Sequence, residues 1–389
     1  MYKKIILSIM MICILAGCTV VNQKPEDSST EDEYISAVWI AYYELSVFTD
    51  GKDEGEFKKS ISKAFKDLKS KGFNRVTVQV RPFADAFYNS KYFPVSAYCF
   101  GEQGSELIYD PLEIMVETAH KNNMSIEAWI NPYRVSSSND FSGLCENNVA
   151  FKYKDTENLI VCDSGIYFNP ASDEVTKLIA DGVGEIAENY QVDSICFDDY
   201  FYPEKSKSID QASYKKYRDA KGKLALEDWR RENVSNMIKT VYKTIKEKNP
   251  NITFGISPAS NIENDYNSLY ADVEKWATTE GYVDYLCPQI YFGFQNESQP
   301  FMKTVKKWVE MADCKLYVAL PLYKAGIEDE FAGESGKNEF KENNNILSRQ
   351  VTYLSKIDKI SGYYIFSYSS LNDNDESKNL YSAMQKSSR

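Results

Sequence analysis

The sequence predicts an α/β protein that folds as a single (β/α)8 TIM barrel, and three observations lead to that prediction. Short runs rich in β-branched and aromatic residues alternate with amphipathic segments of helical periodicity. Eight such strands alternate with helical segments along the chain, which favours a barrel over a doubly wound sheet. After the polar N-terminal segment roughly 355 residues remain, a length that suits one large barrel.

The predicted strands are the apolar runs in which β-branched and aromatic residues are concentrated. In chain order they are ISAVWIAYY (35–43), RVTVQVRPF (75–83), SIEAWINPYR (125–134), the first half of VDSICFDDYFYPE (192–204), NITFGISPAS (251–260), YVDYLCPQIYFGF (282–294), CKLYVALPLYKAG (314–326) and SGYYIFSYSS (361–370).

The predicted helices carry apolar residues spaced three or four positions apart. Gly72 is predicted to end the first helix, and Ser172 or Asp173 to cap the start of the third. In chain order the helices are EFKKSISKAFKDLKSKG (56–72), PLEIMVETAHKNN (111–123), SDEVTKLIADGVGEIAENY (172–190), residues 229–248, LYADVEKWATTE (269–280), PFMKTVKKWVEMA (300–312) and NILSRQVTYLSKI (345–357).

The chain opens with MYKKIILSIMMICILAGC, in which two lysines precede an apolar stretch that is short for a membrane-spanning helix. This pattern resembles a bacterial lipoprotein signal. The resemblance implies that residues 1–17 are removed and that Cys18 carries a lipid, which would place the protein outside the cytoplasm and anchor it to the cell membrane. Residues 18–34 are polar and acidic, so we expect a flexible tether before a domain that spans residues 35–389.

Composition excludes several classes of function. Loss of residues 1–17 removes Lys3 and Lys4 and no acid, which takes the formal charge from −12 to −14 and argues against a nucleic acid partner. The single histidine, His120, excludes a histidine-rich metal site and argues against a Ser-His-Asp triad. The cysteines show no CxxC spacing and no glycine-rich phosphate loop follows a strand, so we expect no metal and no cofactor. We also expect the protein to be a monomer.

One stretch, VDSICFDDYFYPE (192–204), is the centre of the functional prediction. A buried strand ends there in two adjacent carboxylates, Asp198 and Asp199, followed by Tyr200, Phe201 and Tyr202. The carboxyl ends of barrel strands form the face on which active sites are built. The simpler interpretation is that the aspartates cap a turn, but two together before three aromatic residues favour a functional site.

Polar and aromatic residues also follow most of the other predicted strands. A rim of this composition suits a polyhydroxylated ligand, which needs both hydrogen bonds and ring stacking. The predicted rim residues outside the aspartate pair and its tyrosines are Glu44, Arg81, Asp85, Asn131, Tyr133, Arg134, Gln289, Tyr291 and Phe292.

Four motifs in order, AWINPYR, FDDYFYP, FGISP and PQIYF, look like the glycosyl hydrolase-like 10 family, also known as the DUF187 group. The resemblance covers residues 35 to about 372. It implies a (β/α)8 barrel, frequent export, and cleavage of peptidoglycan glycan strands that have lost their peptides. The first strand, WIAYYEL, departs from the threonine- and valine-rich start that is usual in that family, which places the chain in a divergent branch.

Glycoside hydrolysis normally requires two carboxyl groups, one as acid and one as base or nucleophile. We assign Asp198 as the acid and Asp199 as its partner, with Glu44 or Asp85 as candidates for the base. Alternation along the strand directs Asp199 away from the face of Asp198, unless the strand already ends at Phe197. Arg81 and Arg134 either bind the lactyl carboxylate of muramic acid or pair with these acids.

Two functions from different classes follow from these patterns. The first is a lipid-anchored, extracytoplasmic glycoside hydrolase that cleaves cell-envelope polysaccharide, with peptide-free peptidoglycan strands as the expected substrate. The alternative is a glycan-binding lipoprotein whose barrel captures the polysaccharide without cleaving it. The aspartate pair favours the hydrolase.

Overall fold

The computed structural model describes residues 33–387. The predicted signal peptide, Cys18 and most of the predicted tether lie outside the described residues. From Tyr34 onward the chain forms one compact unit. No helix between residues 33 and 387 combines the length and the apolarity needed to cross a membrane.

Eight parallel strands close into a barrel, which confirms the predicted fold class. Neighbouring barrel strands are consecutive around the barrel, and the eighth pairs with the first, so that Ile35 lies opposite Gly362. In chain order the first to eighth strands are Ile35–Ile40, Arg75–Arg81, Ser125–Ile130, Ser194–Phe197, Thr253–Ile256, Tyr285–Leu286, Lys315–Pro321 and Ile360–Phe366.

Helices surround the barrel. The two capping residues that the sequence predicted, Gly72 and Ser172, lie at the helix ends where they were expected. Gly72 ends the second helix in the left-handed conformation, with φ of 104°, and Ser172 accepts the backbone N–H of Val175 at 3.1 Å. The longer α-helices are Tyr42–Thr49, Glu54–Lys71, Pro111–Lys121, Asp173–Asn189, Gln211–Asp219, Leu226–Lys248, Val273–Thr278, Phe301–Met311, Ile346–Leu354 and Asp375–Ser387. Shorter helical segments are Ala97–Phe100, Val149–Tyr153, Ile262–Asn264, Asp265–Leu269, Leu322–Lys324, Glu339–Glu342 and Tyr368–Ser370.

The structure corrects several predicted limits. The first strand stops at Ile40 because a helix begins at Tyr42, where the Glu44 carboxylate accepts the backbone N–H of Ala41 at 2.7 Å. The third strand stops at Ile130, and the next three strands form a separate antiparallel sheet of Arg134–Ser136, Leu159–Cys162 and Gly165–Phe168. The sixth strand is reduced to Tyr285–Leu286, and the C-terminal helix Asp375–Ser387 was not predicted.

The barrel interior is filled, so that ligand access is left to its carboxyl end. At the amino end the buried Glu127 accepts hydrogen bonds from Thr77 at 3.0 Å and from Tyr285, and Arg75 lies 3.8 Å away. Nearer the carboxyl end the rings of Trp39 and Trp129 pack edge to face with centroids 4.8 Å apart. The interior therefore has a polar base and an aromatic floor beneath the rim.

Candidate active site

A cavity of about 360 Å³ opens at the carboxyl end of the barrel, above the two tryptophans. Every barrel strand except the seventh contains a residue that lines it or is followed by one, so the site is built by the barrel as a whole. The lining residues are Trp39, Tyr42, Tyr43, Gln79, Trp129, Asn131, Arg134, Asp198, Asp199, Tyr200, Ser257, Gln289, Tyr291 and Phe366.

Asp198 lies deep in this cavity, where only 3% of its surface is exposed. Its carboxylate accepts the indole N–H of Trp129 at 2.9 Å and, more weakly, the backbone N–H of Tyr200 at 3.4 Å. Burial, reinforced by the negative charge of Asp199, raises the pKa of Asp198 to about 7. At neutral pH this carboxyl group is therefore able to hold a proton and to release it.

Asp199 lies beside it, half-buried, and accepts the side-chain N–H of Gln289 at 3.2 Å. Both aspartates line the cavity because the fourth strand ends at Phe197, so the strict alternation of side chains no longer applies to them. Burial raises the pKa of Asp199, whereas the Gln289 hydrogen bond and the charge of Arg134 lower it. The pair thus consists of one deeply buried and one more accessible carboxyl group.

Arg134 contributes a positive charge to the cavity wall. Its guanidinium group lies between the rings of Phe83 and Tyr200, at 4.4 and 4.8 Å from their centroids, and its Nε donates to the Pro82 carbonyl at 3.2 Å. Its charge lowers the pKa of Asp198, against the effect of burial. The two rings and the Pro82 carbonyl together hold the guanidinium group in the cavity wall.

Two buried donors in the cavity wall have no hydrogen-bond partner within the described protein, Trp39 Nε1 and Asn131 Nδ2. Asn131 is oriented by Gln79, whose Nε2 donates to its side-chain oxygen at 2.6 Å. Buried donors are normally paired, and an unpaired one costs about 1–3 kcal/mol. Their presence in a cavity that also holds carboxylates matches a ligand rich in hydroxyl groups, which accept as well as donate.

A buried ion pair anchors the loop that carries the two aspartates. Arg230 donates from Nε and Nη2 to the two carboxylate oxygens of Asp210 at 2.8 and 2.5 Å, and neither side chain is exposed. The same guanidinium group donates to the carbonyl of Ser206 at 2.8 Å. The segment between the fourth strand and the helix Gln211–Asp219 is therefore tied to the helix Leu226–Lys248.

The structure brings seven of the thirteen predicted rim residues into the cavity: Asn131, Arg134, Asp198, Asp199, Tyr200, Gln289 and Tyr291. The remaining six lie outside its lining: Glu44, Arg81, Asp85, Tyr133, Tyr202 and Phe292.

Glu44, one of the candidates for the base, lies outside the cavity lining and is held by structural contacts. Besides the N–H of Ala41, its carboxylate accepts the hydroxyl of Ser367 at 2.7 Å and the backbone N–H of Ser369 at 2.6 Å. Because it is buried and its oxygens bind groups from the first and eighth strand ends, it joins these two loops. The geometry leaves Asp199 as the second carboxyl group in the cavity.

The other five residues are covered by the loops that follow their strands. Arg81 is buried beneath the Phe93 ring at 4.5 Å, and Asp85 accepts the Gln103 side chain at 3.1 Å. Tyr133 and Tyr202 are buried in the main core, and Phe292 packs partly buried against it. A position just past a strand end is therefore insufficient for access to the cavity when the following loop folds back.

Sequence reasoning missed Gln79, Phe366 and Asp265. Gln79 had a signal, because Thr77 and Gln79 are polar at alternate positions of an apolar strand and so share the interior face. Asp265 had none, since its segment lacks strand or helix periodicity. It is fully buried, and burial together with the charge of Asp199 raises its pKa to about 9. Among residues 33–387 no group of three or more His, Cys, Asp or Glu side chains is arranged to hold a metal ion.

Comparison with solved structures places the fold among glycosidase barrels. The catalytic domain of a β-amylase from Paenibacillus polymyxa superposes with a TM-score of 0.59 at 9% identity, covering 92% of this chain and 99% of that one. The PgaB (BpsB) glycoside hydrolase domain from Bordetella bronchiseptica gives 0.56 at 10% identity, covering 89% and 98%. At these identities the likeness establishes the fold.

Sequence comparison establishes the family. Glycosyl hydrolase YngK of Bacillus subtilis (strain 168) is 32% identical over an alignment of 391 positions, which covers 94% of this chain and 74% of the relative. Glycosyl hydrolase DigH of Escherichia coli (strain K12) is 32% identical over 335 residues, which cover 78% and 74%. The model of the glycosyl hydrolase-like 10 family matches residues 34–346. The chain therefore belongs to the glycosyl hydrolase-like 10 family.

Proposed function

We propose that this protein is a glycoside hydrolase that cleaves the glycan strands of peptidoglycan after their peptides have been removed. The observation that carries the proposal is the buried Asp198, whose pKa of about 7 suits an acid at neutral pH, beside a second carboxyl group in a cavity lined by unpaired donors. Membership of a glycosyl hydrolase-like family supports the same class of reaction.

In the proposed reaction the two aspartates divide the work. Protonated Asp198 donates its proton to the glycosidic oxygen as the bond to the anomeric carbon breaks, so the leaving sugar departs with a neutral hydroxyl group. Asp199, held by Gln289, is the carboxylate that stabilises the positive charge at the anomeric carbon, or that activates the entering water. Water supplies the hydroxyl group and the proton that restore both products and Asp198.

Arg134 gives the proposal its substrate preference. Each muramic acid unit carries a lactyl carboxyl group, which is free and negatively charged once the peptide is removed but is an uncharged amide while the peptide is attached. An arginine in the cavity wall favours the free carboxylate by a charge-assisted hydrogen bond. The acidic surface of the protein otherwise repels a negatively charged glycan. The positive charge of Arg134 therefore contributes more to the distinction between the free carboxylate and the amide.

The proposal extends to location. The N-terminal pattern supports export and attachment to the membrane through a lipid on Cys18, which would hold a monomeric barrel beside the cell-envelope polysaccharide. Mass spectrometry of the N-terminal peptide from membranes tests this directly, because a diacylated Cys18 carries a characteristic mass increase. Recovery of an unprocessed N-terminus, or of a soluble mature chain without lipid, would contradict the anchoring.

The test of activity uses the purified protein with two preparations of the same peptidoglycan, one stripped of peptides by an amidase and one intact. We expect soluble saccharides, identified by mass, from the stripped preparation and few or none from the intact one. If neither preparation is cleaved and both retain the protein in a pull-down, the glycan-binding alternative replaces the hydrolase.

Replacing Arg134 by methionine tests the substrate preference. We expect kcat/KM on peptide-free strands to fall about tenfold to a hundredfold, since a hydrogen bond to a charged group contributes roughly 1.5–3 kcal/mol. Arg134→Lys keeps the charge but lacks the paired N–H groups, so its kcat/KM should lie between those of the unmodified protein and Arg134→Met. The comparison substrate is the same glycan with its lactyl carboxyls amidated by a small amine. An equal loss on both substrates would assign Arg134 to cavity structure alone.

The pH profile tests the role of Asp198. Because the acid acts only while protonated, kcat/KM should fall as the pH rises through about 7. The Arg134 charge lowers the pKa of Asp198, so Arg134→Met should move the alkaline fall of kcat/KM to higher pH. A variant that was merely destabilised would be expected to show the opposite shift. An alkaline limb that stays in place in Arg134→Met would show that another group titrates.

A further inference from the structure

The two carboxyl groups of the cavity come from consecutive residues. Asp198 and Asp199 follow the end of the fourth strand at Phe197, and both line the cavity. Consecutive Cα atoms are about 3.8 Å apart, so the two carboxyl groups project from one place in the cavity wall. Among residues 33–387 no other aspartate or glutamate lines this cavity. The remaining strand ends therefore supply no carboxyl group to it.

This arrangement differs from that of hydrolases in which both reacting groups are carboxyl groups of the protein. In those enzymes the acid lies beside the leaving oxygen, and the base or nucleophile acts on the opposite face of the sugar ring. Here the rest of the lining consists of aromatic, amide, hydroxyl and guanidinium side chains. Water that no base activates is a weak nucleophile, which leaves the substrate as the source of the attacking group.

The cavity offers a polar partner to each end of an acetamido group. The Asp199 carboxylate accepts N–H donors, and it already accepts one from Gln289 at 3.2 Å. Trp39 Nε1 and Asn131 Nδ2 are buried donors without a partner within residues 33–387, and a carbonyl oxygen is an acceptor that satisfies them. One wall of the cavity thus accepts an N–H while others donate to a C=O.

The aromatic rings of the cavity suit the methyl group of the same substituent. Phe366 lies 6.5 Å from Trp129 and 5.9 Å from Tyr291 between ring centroids, and Trp39 packs against Trp129 at 4.8 Å. This apolar surface adjoins the carboxyl pair, because Trp129 donates its indole N–H to Asp198. A methyl group gains free energy on burial there, whereas a hydroxyl group loses hydrogen bonds to water.

We propose that the acetamido group at C2 of the substrate sugar is the nucleophile of the reaction, and that Asp199 positions it by accepting its N–H. This inference rests on the proposed function. Both amino sugars of a peptidoglycan strand carry an acetamido group, so each unit of the proposed substrate is able to supply the nucleophile. Of the two roles described above for Asp199, stabilisation of positive charge is then the one that it performs.

The reaction proceeds in two displacements. In the first, the acetamido oxygen forms a bond to the anomeric carbon as the glycosidic bond breaks, and Asp198 gives its proton to the leaving oxygen. The cyclic oxazolinium ion that results carries positive charge at its N–H, next to the Asp199 carboxylate. In the second, water attacks the anomeric carbon and gives a proton to Asp198, while the bond from that carbon to the acetamido oxygen breaks. Two displacements at one carbon retain its configuration.

The experiment compares peptide-free strands that differ only in the acyl group on nitrogen. The strands are de-N-acetylated, and one portion is acetylated again as the control while another receives trifluoroacetyl groups. Fluorine withdraws electrons from the carbonyl oxygen, so we expect kcat on the trifluoroacetylated strands to fall by more than about tenfold. The re-acetylated strands should match the native ones, and NMR of the first product should show the retained anomer.

A stable analogue of the cyclic intermediate provides a measurement that is independent of turnover. In a sugar-derived thiazoline, sulfur replaces the acetamido oxygen, and we expect the unmodified protein to bind this compound competitively with substrate. Asp199→Asn should weaken binding of the thiazoline about tenfold to a hundredfold, the range for loss of a hydrogen bond to a charged group. Asp193→Asn, which lies just before the same strand, is the control and should bind it unchanged.

The outcomes separate the identity of the nucleophile from the occurrence of hydrolysis. If the unmodified protein cleaves neither native nor re-acetylated strands, the hydrolase itself is refuted. If it cleaves native and trifluoroacetylated strands with the same kcat, or releases the inverted anomer, the hydrolase stands and the acetamido group is not the nucleophile. If Asp199→Asn binds the thiazoline as tightly as the unmodified protein, Asp199 does not position the acetamido group.

Discussion

Replacing Asp198 by asparagine is expected to lower kcat on peptide-free glycan strands by about 10²- to 10⁴-fold, the range typical of a lost general acid. Asparagine has nearly the same shape and its oxygen still accepts the indole N–H of Trp129, which lies 2.9 Å from the carboxylate in the protein. The change therefore removes the transferable proton and keeps the cavity. Initial rates of saccharide release measure it.

The stability of the Asp198→Asn variant distinguishes loss of the transferable proton from loss of the fold. The pKa of Asp198 is raised from 3.8 to about 7, so ionisation of this group costs folding free energy progressively as the pH rises from about 4 to about 7. The amide introduced by Asp198→Asn cannot ionise, so the variant should be no less stable than the unmodified protein at pH 8. A variant that is inactive and also markedly less stable at pH 8 would not support the acid role.

Asp193→Asn is a matched control at the start of the same strand. Asp193 lies at the opposite end of the barrel, where it contacts His120 at 3.0 Å and accepts the backbone N–H of Ile126 at 2.8 Å. This variant should lose some stability and retain its kcat. If both variants lost activity equally, the carboxyl end of the barrel would have no special role.

The second large effect is on folding. Asp210→Asn is expected to lower the free energy of unfolding by about 3–5 kcal/mol, because it leaves the fully buried guanidinium group of Arg230 without a counter-charge. The change also releases the loop that carries Asp198 and Asp199, so we expect activity to fall before the protein unfolds globally. Urea unfolding followed by circular dichroism measures the first effect.

Two comparisons make the folding test specific. Asp219→Asn breaks an exposed pair with Lys215 on a nearby helix and should have no resolvable effect on stability. The double variant Asp210→Leu with Arg230→Met removes both charges and should be more stable than Asp210→Asn alone. If Asp210→Asn costs no more than Asp219→Asn, the buried pair does not anchor the loop.

Sequence patterns were sufficient for the barrel because its elements repeat a simple rule. Apolar runs with β-branched residues became the eight strands, and Gly72 and Ser172 ended or began helices as their chemistry predicts. The aspartate pair was recognisable because two charges at the end of an apolar run are unusual. Predicted strand limits were less accurate, since tertiary pairing and not local composition decides where a strand stops.

Access to the cavity was harder to predict, because it depends on how loops return over the rim. Arg81 ends the second barrel strand and Arg134 follows the third, both at the carboxyl end of the barrel, yet Phe93 covers Arg81 whereas Arg134 reaches the cavity. In the sequence Glu44 has the pattern of an acid on a surface loop. In the structure it lies in the first turn of the helix that begins at Tyr42, where it caps that helix by accepting the backbone N–H of Ala41. The unpaired donors of Trp39 and Asn131 are visible only in three dimensions, since pairing is a property of neighbours.

The seam between the first and eighth strands has a consequence for biosynthesis. Ser36 donates its hydroxyl hydrogen to Tyr363 at 2.9 Å, although 327 positions separate them in the chain. Contacts this distant in sequence form slowly, because a long loop must close first. While the ribosome is still translating the last strand, the first remains an open sheet edge able to pair with other chains. We therefore expect the first strand of a nascent chain to stay open to intermolecular pairing until translation is nearly complete.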